Sequence, residues 1–202
     1  MASYEPNSLV NDGIQLEKNG QLDDAKQKFE DAIKDFKDFK AHNLVSAQDI
    51  VDEANAYSAL GNLLHKMAKK AIHNEGQGGK TELFEKAGMN HKTAALLRED
   101  ARIRYEVESA PNTQQSWIIL NWIAKAAEYG KAAYDYMHAS IHEPSKDSKE
   151  KTSEKNTADI LNQSCQLTYA LAASALGTDK IDGISSTSLQ HKAMEDHTMK
   201  DY

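Results

Sequence analysis

The sequence predicts an all-α protein built of antiparallel helical hairpins, with about six helices, and three observations predict it. The chain of 202 residues has only 10 glycines and 3 prolines, too few for the closely spaced turns of a β-sandwich or barrel. Long stretches place apolar residues three and four positions apart, which is the spacing of one buried helix face. Hydrophobic residues make up 40% of the chain and charged residues 27%, a balance typical of a globular domain with its own core.

The first two predicted helices form a hairpin near the start of the chain. Ser8 can cap a helix over residues 9–18, and Asn19-Gly20 ends it, since glycine readily takes the left-handed backbone found at helix C-termini. A second helix over residues 22–39 repeats its apolar positions on one face, formed by Leu22, Ala25, Phe29, Ala32, Ile33 and Phe36.

Two longer helices follow, separated by a glycine-rich stretch. The third covers about residues 47–74, and the fourth covers about residues 81–109 and stops before Pro111, because proline cannot continue a helix. The stretch 76–81 between them, Gly-Gln-Gly-Gly-Lys-Thr, resembles the end of a phosphate-binding loop. It lacks the full glycine spacing and a preceding β-strand, so we expect a flexible hinge there.

The fifth predicted helix, about residues 113–141, carries an unusual run of large apolar residues, Trp117-Ile118-Ile119-Leu120. Successive helical residues turn by about 100°, so these four sweep about 300° of the helix circumference. Trp122 and Ile123 extend the coverage. A helix that is apolar nearly all round is either central to the fold or covered by a partner.

The end of the chain is more polar. Residues 143–156 contain no large apolar side chain, so we expect a mobile loop, followed by an alanine-rich helix over about residues 157–176. Residues 177–202 are expected to form a polar, partly disordered tail with one weak helix over residues 186–200. Residues 1–176 are therefore predicted to form a single helical domain.

The first hairpin resembles a tetratricopeptide repeat, a helix–turn–helix unit of about 34 residues. Six residues fall on the small and large positions of that family's pattern: Leu9, Gly13, Leu16, Ala25, Phe29 and Ala32. Asp12 and Lys37 depart from it, a second partial match covers about residues 53–87, and a third begins at Trp117. Small and large residues at this spacing also fit any packed αα-hairpin, so an irregular helical bundle is the alternative.

The resemblance implies stacked hairpins with a concave surface that binds peptide segments or partner proteins. Small acidic members of the wider family act as chaperones or accessory subunits in bacterial protein secretion, so the resemblance also implies such a role. Asn62 follows Leu60-Gly61 as the asparagine of one subfamily's carboxylate clamp follows its glycine. Ile14 at the matching position after Gly13, and the lack of a matching basic residue, exclude a clamp of that type.

No residues in the sequence have the spacing of a catalytic or metal site. The sequence shows no glycine-flanked serine turn, and Cys165 lies in an Ala/Leu-rich stretch typical of a core. His138 and His142 are four residues apart, but no glutamate completes a zinc motif and Pro144 suggests that the helix is ending. The sequence therefore predicts no enzyme activity, no metal and no cofactor.

Six residues are predicted to contact a partner: Asn62, Arg98, Arg102, Arg104, Trp117 and Trp122. The chain has three arginines, all within seven residues. Arg98 and Arg102 lie one helical turn apart and could together hold a carboxylate or phosphate, unless nearby acidic residues neutralise them. The two tryptophans belong to the residue type that concentrates at binding hot spots, provided that they face solvent and not the core.

The charge balance restricts the class of partner. Acidic residues outnumber basic ones by 31 to 24, and the net charge of −7 argues against unaided binding to nucleic acid. No apolar run approaches the roughly 18 residues of a membrane span, and the first residues show no secretory signal. A single cysteine cannot form an internal disulfide, which favours a reducing compartment such as the cytoplasm.

Taken as a whole, the sequence predicts a non-enzymatic interaction protein that binds a protein or peptide. It would act as an adaptor, a chaperone or an accessory subunit of a multiprotein complex. The alternative is an enzyme or effector whose site is assembled from His, Asp and Glu on several helices, because helical bundles collect ligands from distant positions. A packing subunit with no transient ligand is a third possibility.

Overall fold

The computed structural model describes residues 6–74, 78–108, 115–142, 148–178, 180–181 and 183–199. Within these residues the protein is all-α, as predicted. Its helices are α1 (Pro6–Lys18), α2 (Leu22–His42), α3 (Ala47–Asn74), α4 (Gly78–Glu108), α5 (Gln115–His142), α6 (Ser148–Leu176) and α7 (Ser186–Ala193). Two short strands, β1 (Lys180–Ile181) and β2 (Ile184–Ser185), pair antiparallel between α6 and α7.

Each helix packs mainly against the helices next to it in sequence, and the pairs α3–α4, α4–α5 and α5–α6 make the most extensive contacts. The helices of the central pair are antiparallel: Gly88 of α4 lies against the ring of Tyr136, whereas Arg98, further along α4, reaches back to Asn121 of α5. The result is a sequential array of hairpins.

α6 also runs antiparallel to α5. Leu161 shares an apolar cluster with Ala133, and Leu176 shares another with Ile119, so the residue numbers rise along α6 as they fall along α5. α4 and α6 are therefore parallel to each other, and α5 packs between them. This arrangement of three helices defines the groove discussed below.

The apolar core is distributed along the array. The first three helices share a core centred on Phe29, Phe36 and Leu63, which are at most 2% exposed. Gly13 permits their close approach, because a Cβ atom at this position would lie 2.5 Å from the ring of Phe29. At the other end, Leu189 of α7 is 1% exposed and covers the α5–α6 core.

The structure differs from the sequence prediction at the start of α6. We expected a mobile loop over residues 143–156, but residues 148–156 belong to α6, while residues 143–147 lie outside the described part of the chain. Glu150 in the first helical turn favours the helix N-terminus electrostatically. Glu154 is only 9% exposed. Packing therefore orders a segment that has no large apolar residue of its own.

The tail also has more structure than the expected single weak helix. After Gly177 the chain forms the short β-hairpin, in which Gly183 adopts a positive φ of 78°, and then α7, which ends at Ala193. Ser185 and Ser188 form a capping box, in which each side chain binds the other residue's backbone N–H. The described residues of the tail are thus folded onto α6. None of the described helices has the length and apolar character needed to cross a bilayer.

Candidate functional site

A groove between α4 and α6, with α5 as its floor, is a candidate binding surface. At one end it contains a cavity of about 490 Å³. Its lining residues are Glu82, Glu85, Lys86 and Met89 of α4, Tyr136 of α5, and Ser153, Glu154 and Thr157 of α6. We call the whole channel between these helices the α4–α6 groove.

One wall of the groove carries a row of exposed apolar side chains from α4. Met89 lines the cavity, and Leu96 follows it seven residues later. Seven residues turn a helix to within about 20° of two full turns, so these two side chains lie on the same side of α4. They are 56% and 50% exposed. We call these two side chains the α4 stripe. Ile103, seven residues further along, instead lines a second cavity of about 280 Å³ together with Ile50 of α3.

The opposite wall carries a matching row from α6. Ser153 lines the cavity, and Ile160 and Leu167 follow it at intervals of seven residues. Leu171 lies one further turn along the same side. Ile160, Leu167 and Leu171 are 63%, 62% and 47% exposed. We call these three side chains the α6 stripe. Exposed apolar side chains thus continue along α4 and along α6 from the two walls of the cavity.

The floor of the groove is aromatic. Trp122, Tyr129 and Tyr136 are spaced by seven residues on α5, and each is partly buried. The guanidinium carbon of Arg102 lies 5.9 Å from the centre of the Trp122 ring, and Nζ of Lys125 lies 5.7 Å from that of Tyr129. Aromatic rings at these distances attract cations, so the rings are partly covered by charged side chains.

Glu99 holds the charged side chains of Arg102 and Lys125 over the aromatic floor. Its carboxylate accepts hydrogen bonds from Arg102 at 2.7 Å and from Lys125 at 2.9 Å. The hydrogen bond from Arg102 is the main reason that the pKa of Glu99 falls to about 2, with a further contribution from Lys125. Glu99 is therefore ionised at any physiological pH, and the three charges form a stable network across the middle of the groove.

Of the six residues predicted to contact a partner, the structure brings Trp122 and Arg102 together in the groove. Trp117 instead stacks on Tyr105, with ring centres 4.0 Å apart, and packs against the α3–α4 core. Arg104 pairs with Glu108 on the same helix. Their assignment to a partner surface remains a prediction.

The two remaining residues lie where α3 meets α4 and α5. Arg98 donates to Asn55 at 2.6 Å and to Asn121 at 3.4 Å, and burial lowers its pKa. Asn62 is exposed on α3, at the edge of a small cavity. All three arginines thus contact side chains of this chain, and Arg102 and Arg104 pair with glutamates of their own helix, which is the alternative stated above.

A buried polar cluster lies beneath that cavity, and the sequence did not predict it. His91 of α4 is 1% exposed, and its Nδ1 donates to Glu128 at 2.6 Å, while its Nε2 lies 3.8 Å from Asp135. His65 of α3 is hydrogen-bonded to Asp135 at 2.6 Å. Ser58 donates to Glu128 at 2.8 Å. The cluster thus connects three helices.

The two carboxylates of the cluster differ in their electrostatics. Burial alone raises the pKa of Glu128, but the hydrogen bond and charge of His91, together with Lys131 and Ser58, outweigh it and bring the pKa down to about 2. Burial raises the pKa of Asp135, and His65 and His91 only partly offset that effect. Oδ2 of Asp135 is buried without a hydrogen-bond partner. Glu128 is therefore the firmly ionised member.

The space beside the cluster is too small for a substrate. The cavity, lined by Asn62, His65, His91, Lys131 and Tyr134, has a volume of about 10 Å³, which is room for one water molecule. Across the described ranges, no group of three His, Cys, Asp or Glu side chains is arranged to hold a metal ion. The cluster is suited to joining helices.

Sequence patterns alone could hardly have predicted this cluster. Its two histidines and two acidic residues come from three helices, and the hydrogen-bonded partners are 37 and 70 residues apart. The one available signal was that Glu128 and Asp135 lie seven residues apart on one face of α5.

Comparisons with protein-family models, with curated proteins and with solved structures found no match to this chain, so the tetratricopeptide resemblance stays a prediction.

Proposed function

We propose that the chain is a non-enzymatic interaction module that binds a partner protein or peptide in the α4–α6 groove. It would act as an adaptor, a chaperone or an accessory subunit of a larger assembly. The observation that carries this proposal is the pair of exposed apolar stripes on either side of an aromatic floor. Aligned apolar side chains of this size on a protein surface are typical of interaction sites.

The energetics of the stripes support the proposal. Each of their side chains is about half exposed, and covering it would contribute about 1 kcal/mol. Trp122 on the floor and Arg102 of α4, which lies over its ring, belong to residue types that are enriched in binding hot spots. An interface over the groove would therefore combine peripheral apolar contacts with a central aromatic and cationic anchor.

Site-specific photocrosslinking in the native cell tests the proposal. A photoreactive residue at position 96 or 167 should give discrete crosslinked products, because these positions border the groove. The same residue at Gln27, exposed on α2, serves as the control and should give none. Equal crosslinking from α2 and from both walls would contradict a binding surface in the groove.

The buried polar cluster favours the alternative, an enzyme or effector with a His/Asp/Glu site. Its water-sized cavity argues for a supporting role, since an organic substrate could not reach His91 without rearrangement of three helices. Elemental analysis of the purified chain distinguishes an enzyme or effector site from an interaction module. A stoichiometric metal ion that is lost in His91→Ala would favour the alternative over an interaction module.

The expected compartment is the cytoplasm. Cys165 is fully buried in the α5–α6 core, and a single thiol fits a reducing compartment. The net charge of −7 supports a protein partner over nucleic acid. A role in bacterial protein secretion rests on the tetratricopeptide resemblance together with this acidity, and cell fractionation with identification of the crosslinked partner would test it.

A further inference from the structure

We infer that the junction of α3, α4 and α5 holds a carboxylate-binding site, in which the guanidinium of Arg98 is the cation and the amide of Asn55 lies beside it. The group recognised is a carboxylate, carried either by a small molecule or by an acidic side chain of a partner protein. The site is separate from the α4–α6 groove and does not depend on the function proposed for that groove.

Arg98 lies where the three helices meet. From α4 it donates to Oδ1 of Asn55 on α3 at 2.6 Å and to Oδ1 of Asn121 on α5 at 3.4 Å. Both acceptors are amide oxygens, which carry no net charge. Asn121 is 6% exposed, whereas Asn55 is exposed, so the guanidinium can be reached from solvent on the α3 side.

The charge of Arg98 has no counterion within the described residues. Arg102 and Arg104 each pair with glutamates of α4, whereas the acceptors of Arg98 are the two amides. Its Nε is buried without a hydrogen-bond partner. Burial lowers the pKa of Arg98, and the charge of Glu128 offsets this effect only in part. Because charged groups removed from water normally have an opposite charge beside them, the site lacks an anion.

The buried cluster shows what completes such a position. His91 lies seven residues before Arg98 on α4, and Glu128 lies seven residues after Asn121 on α5. Because α4 and α5 are antiparallel, these two steps lead to equivalent positions of the α4–α5 contact, about two helical turns apart. At one position a carboxylate accepts the hydrogen bond from His91, at 2.6 Å. At the other, a neutral amide lies 3.4 Å from Arg98.

The surroundings favour a ligand with a single negative charge. Glu128 is ionised and its charge acts on Arg98, so a doubly charged phosphate would be repelled more strongly than a carboxylate. A carboxylate has two oxygens and can accept from two donors at once. The guanidinium supplies one donor. The amide of Asn55 supplies the other, because it accepts from Arg98 through its oxygen and keeps its NH2 group for a ligand.

NMR of the arginine side chains tests the site in the full chain, because three arginines give three Nε–H signals. The probes are acetate, as a small carboxylate, and a hexaglutamate peptide, as an acidic segment. At about pH 6 both are ionised, and physiological salt screens the net charge of the chain beyond about 8 Å. Each probe should shift the Arg98 signal saturably. The signals of Arg102 and Arg104, which are already paired, serve as internal controls and should not move.

The affinities distinguish the two sources of the carboxylate. The glutamate peptide should bind at least about tenfold more tightly than its glutamine analogue, which can make only neutral hydrogen bonds. A peptide affinity above that of acetate indicates a carboxylate on a partner chain, and equal affinities indicate a small carboxylate. Loss of one signal in Arg102→Lys and of another in Arg104→Lys identifies the third signal as that of Arg98.

A variant that supplies its own carboxylate locates the ligand. Asn55→Asp places a carboxylate where the amide oxygen now lies, 2.6 Å from Arg98. It should shift the Arg98 signal in the absence of any probe and weaken acetate binding at least about tenfold. Asn62→Asp, at another exposed position of α3, adds the same charge two helical turns away and should change neither. Circular dichroism verifies that both variants are folded.

Three results would overturn the inference. The first is an Arg98 signal that neither probe shifts more than sodium chloride of the same ionic strength does. The second is an equal shift of all three arginine signals, which would mean that carboxylates bind without preference for a site. The third is binding that Asn55→Asp and Asn62→Asp weaken equally, since that would reflect added charge and not a contact with Arg98. The interaction function of the α4–α6 groove is tested by its own crosslinks and would stand in each case.

Discussion

The contact between Gly61 and His91 illustrates how one residue without a side chain positions the buried cluster. A Cβ atom at Gly61 would lie 2.8 Å from Cε1 and Nε2 of the His91 ring. His91 cannot easily retreat, because it is 1% exposed and hydrogen-bonded to Glu128. Gly61 therefore has to stay small for α3 and α4 to approach each other here.

Gly61→Ala should lower the free energy of unfolding by about 1–3 kcal/mol, the usual cost of overpacking a core. Urea denaturation measures it. The neighbouring substitution Asn62→Ala, on the exposed side of α3, is the control and should change stability by less than about 0.5 kcal/mol. In a His91→Ala background, Gly61→Ala should cost little. An equal cost in both backgrounds would mean that His91 is not the obstacle.

Glu128 gives the protein a specific sensitivity to acid. Its pKa is about 2 in the folded chain, against 4.5 as the ordinary value. A carboxyl group with a lowered folded pKa stabilises the fold above its unfolded pKa and loses that contribution as the pH falls. The contribution should therefore be complete above about pH 4.5 and disappear towards pH 2.

The comparison of the parent chain with Glu128→Gln isolates this effect. The difference in their free energies of unfolding should shrink as the pH falls from 4.5 to 2, by at most about 1.4 kcal/mol per pH unit. Glu30→Gln is the control, since Glu30 pairs with Lys26 at a half-exposed site on α2. A difference that stays constant over this pH range would contradict the charged state assigned to Glu128.

At the scale of single residues, the sequence predicted the environment of apolar positions better than that of polar ones. Cys165 lies in the core as expected from its Ala/Leu-rich surroundings. Trp122 was singled out and lies on the groove floor. The histidines gave no signal, because a buried hydrogen bond between distant helices leaves no short-range pattern in the sequence.

At the scale of whole helices, prediction succeeded where local signals mark both ends. α3 was predicted over residues 47–74 and occupies that range, and α4 and α5 differ from their predicted bounds by only a few residues. α6 was predicted too short because its first turns are polar. These first turns of α6 are held in a helix by contacts with α5, and such tertiary contacts override local composition.

Leu189 is the one large apolar side chain by which α7 packs against the α5–α6 core, with Ala193 beside it. Leu189 is 1% exposed, and the surrounding contacts are hydrogen bonds such as that from Gln166 to the Glu195 carbonyl. Leu189→Ala should weaken this attachment by about 2–5 kcal/mol, the range for a buried leucine. We expect faster hydrogen exchange in α7 and earlier proteolytic cleavage after Gly177.

Met194→Ala is the matched control for α7, because Met194 is 74% exposed just beyond the helix. It should leave both exchange and cleavage unchanged. If Leu189→Ala lowered the stability of α1 and α2 as much as that of α7, the tail would be part of a single cooperative unit and not a terminal cap.

For the whole molecule, the sequence predicted the class of fold but not the groove. It left open whether the hairpins form repeats or an irregular bundle. The groove could not be predicted because its exposed stripes have the same spacing as buried ones: Leu96 and Leu167 fit a core as well as a surface. Only the packing of α5 between α4 and α6 determines which rows face solvent.

The sequential packing of the helices predicts that the two ends of the molecule can unfold separately. Phe29 is fully buried in the core of α1–α3, whereas both tryptophans lie on α5, which has no residue in that core. In arrays whose units contact mainly their neighbours, stability is local and not shared by the whole chain. Phe29→Ala should therefore destabilise α1 and α2 by about 3–5 kcal/mol and leave α5 and α6 nearly unchanged.

Native-state hydrogen exchange and tryptophan fluorescence measure the two ends independently. In Phe29→Ala, amide protection should be lost in α1 and α2 at denaturant concentrations at which the fluorescence of Trp117 and Trp122 is still that of the folded chain. Gln27→Ala, at an exposed position on the same helix, serves as the control. A single transition, coincident by both methods in Phe29→Ala, would show that the helices form one closed cooperative bundle, because only contacts beyond sequence neighbours would couple α2 to α5.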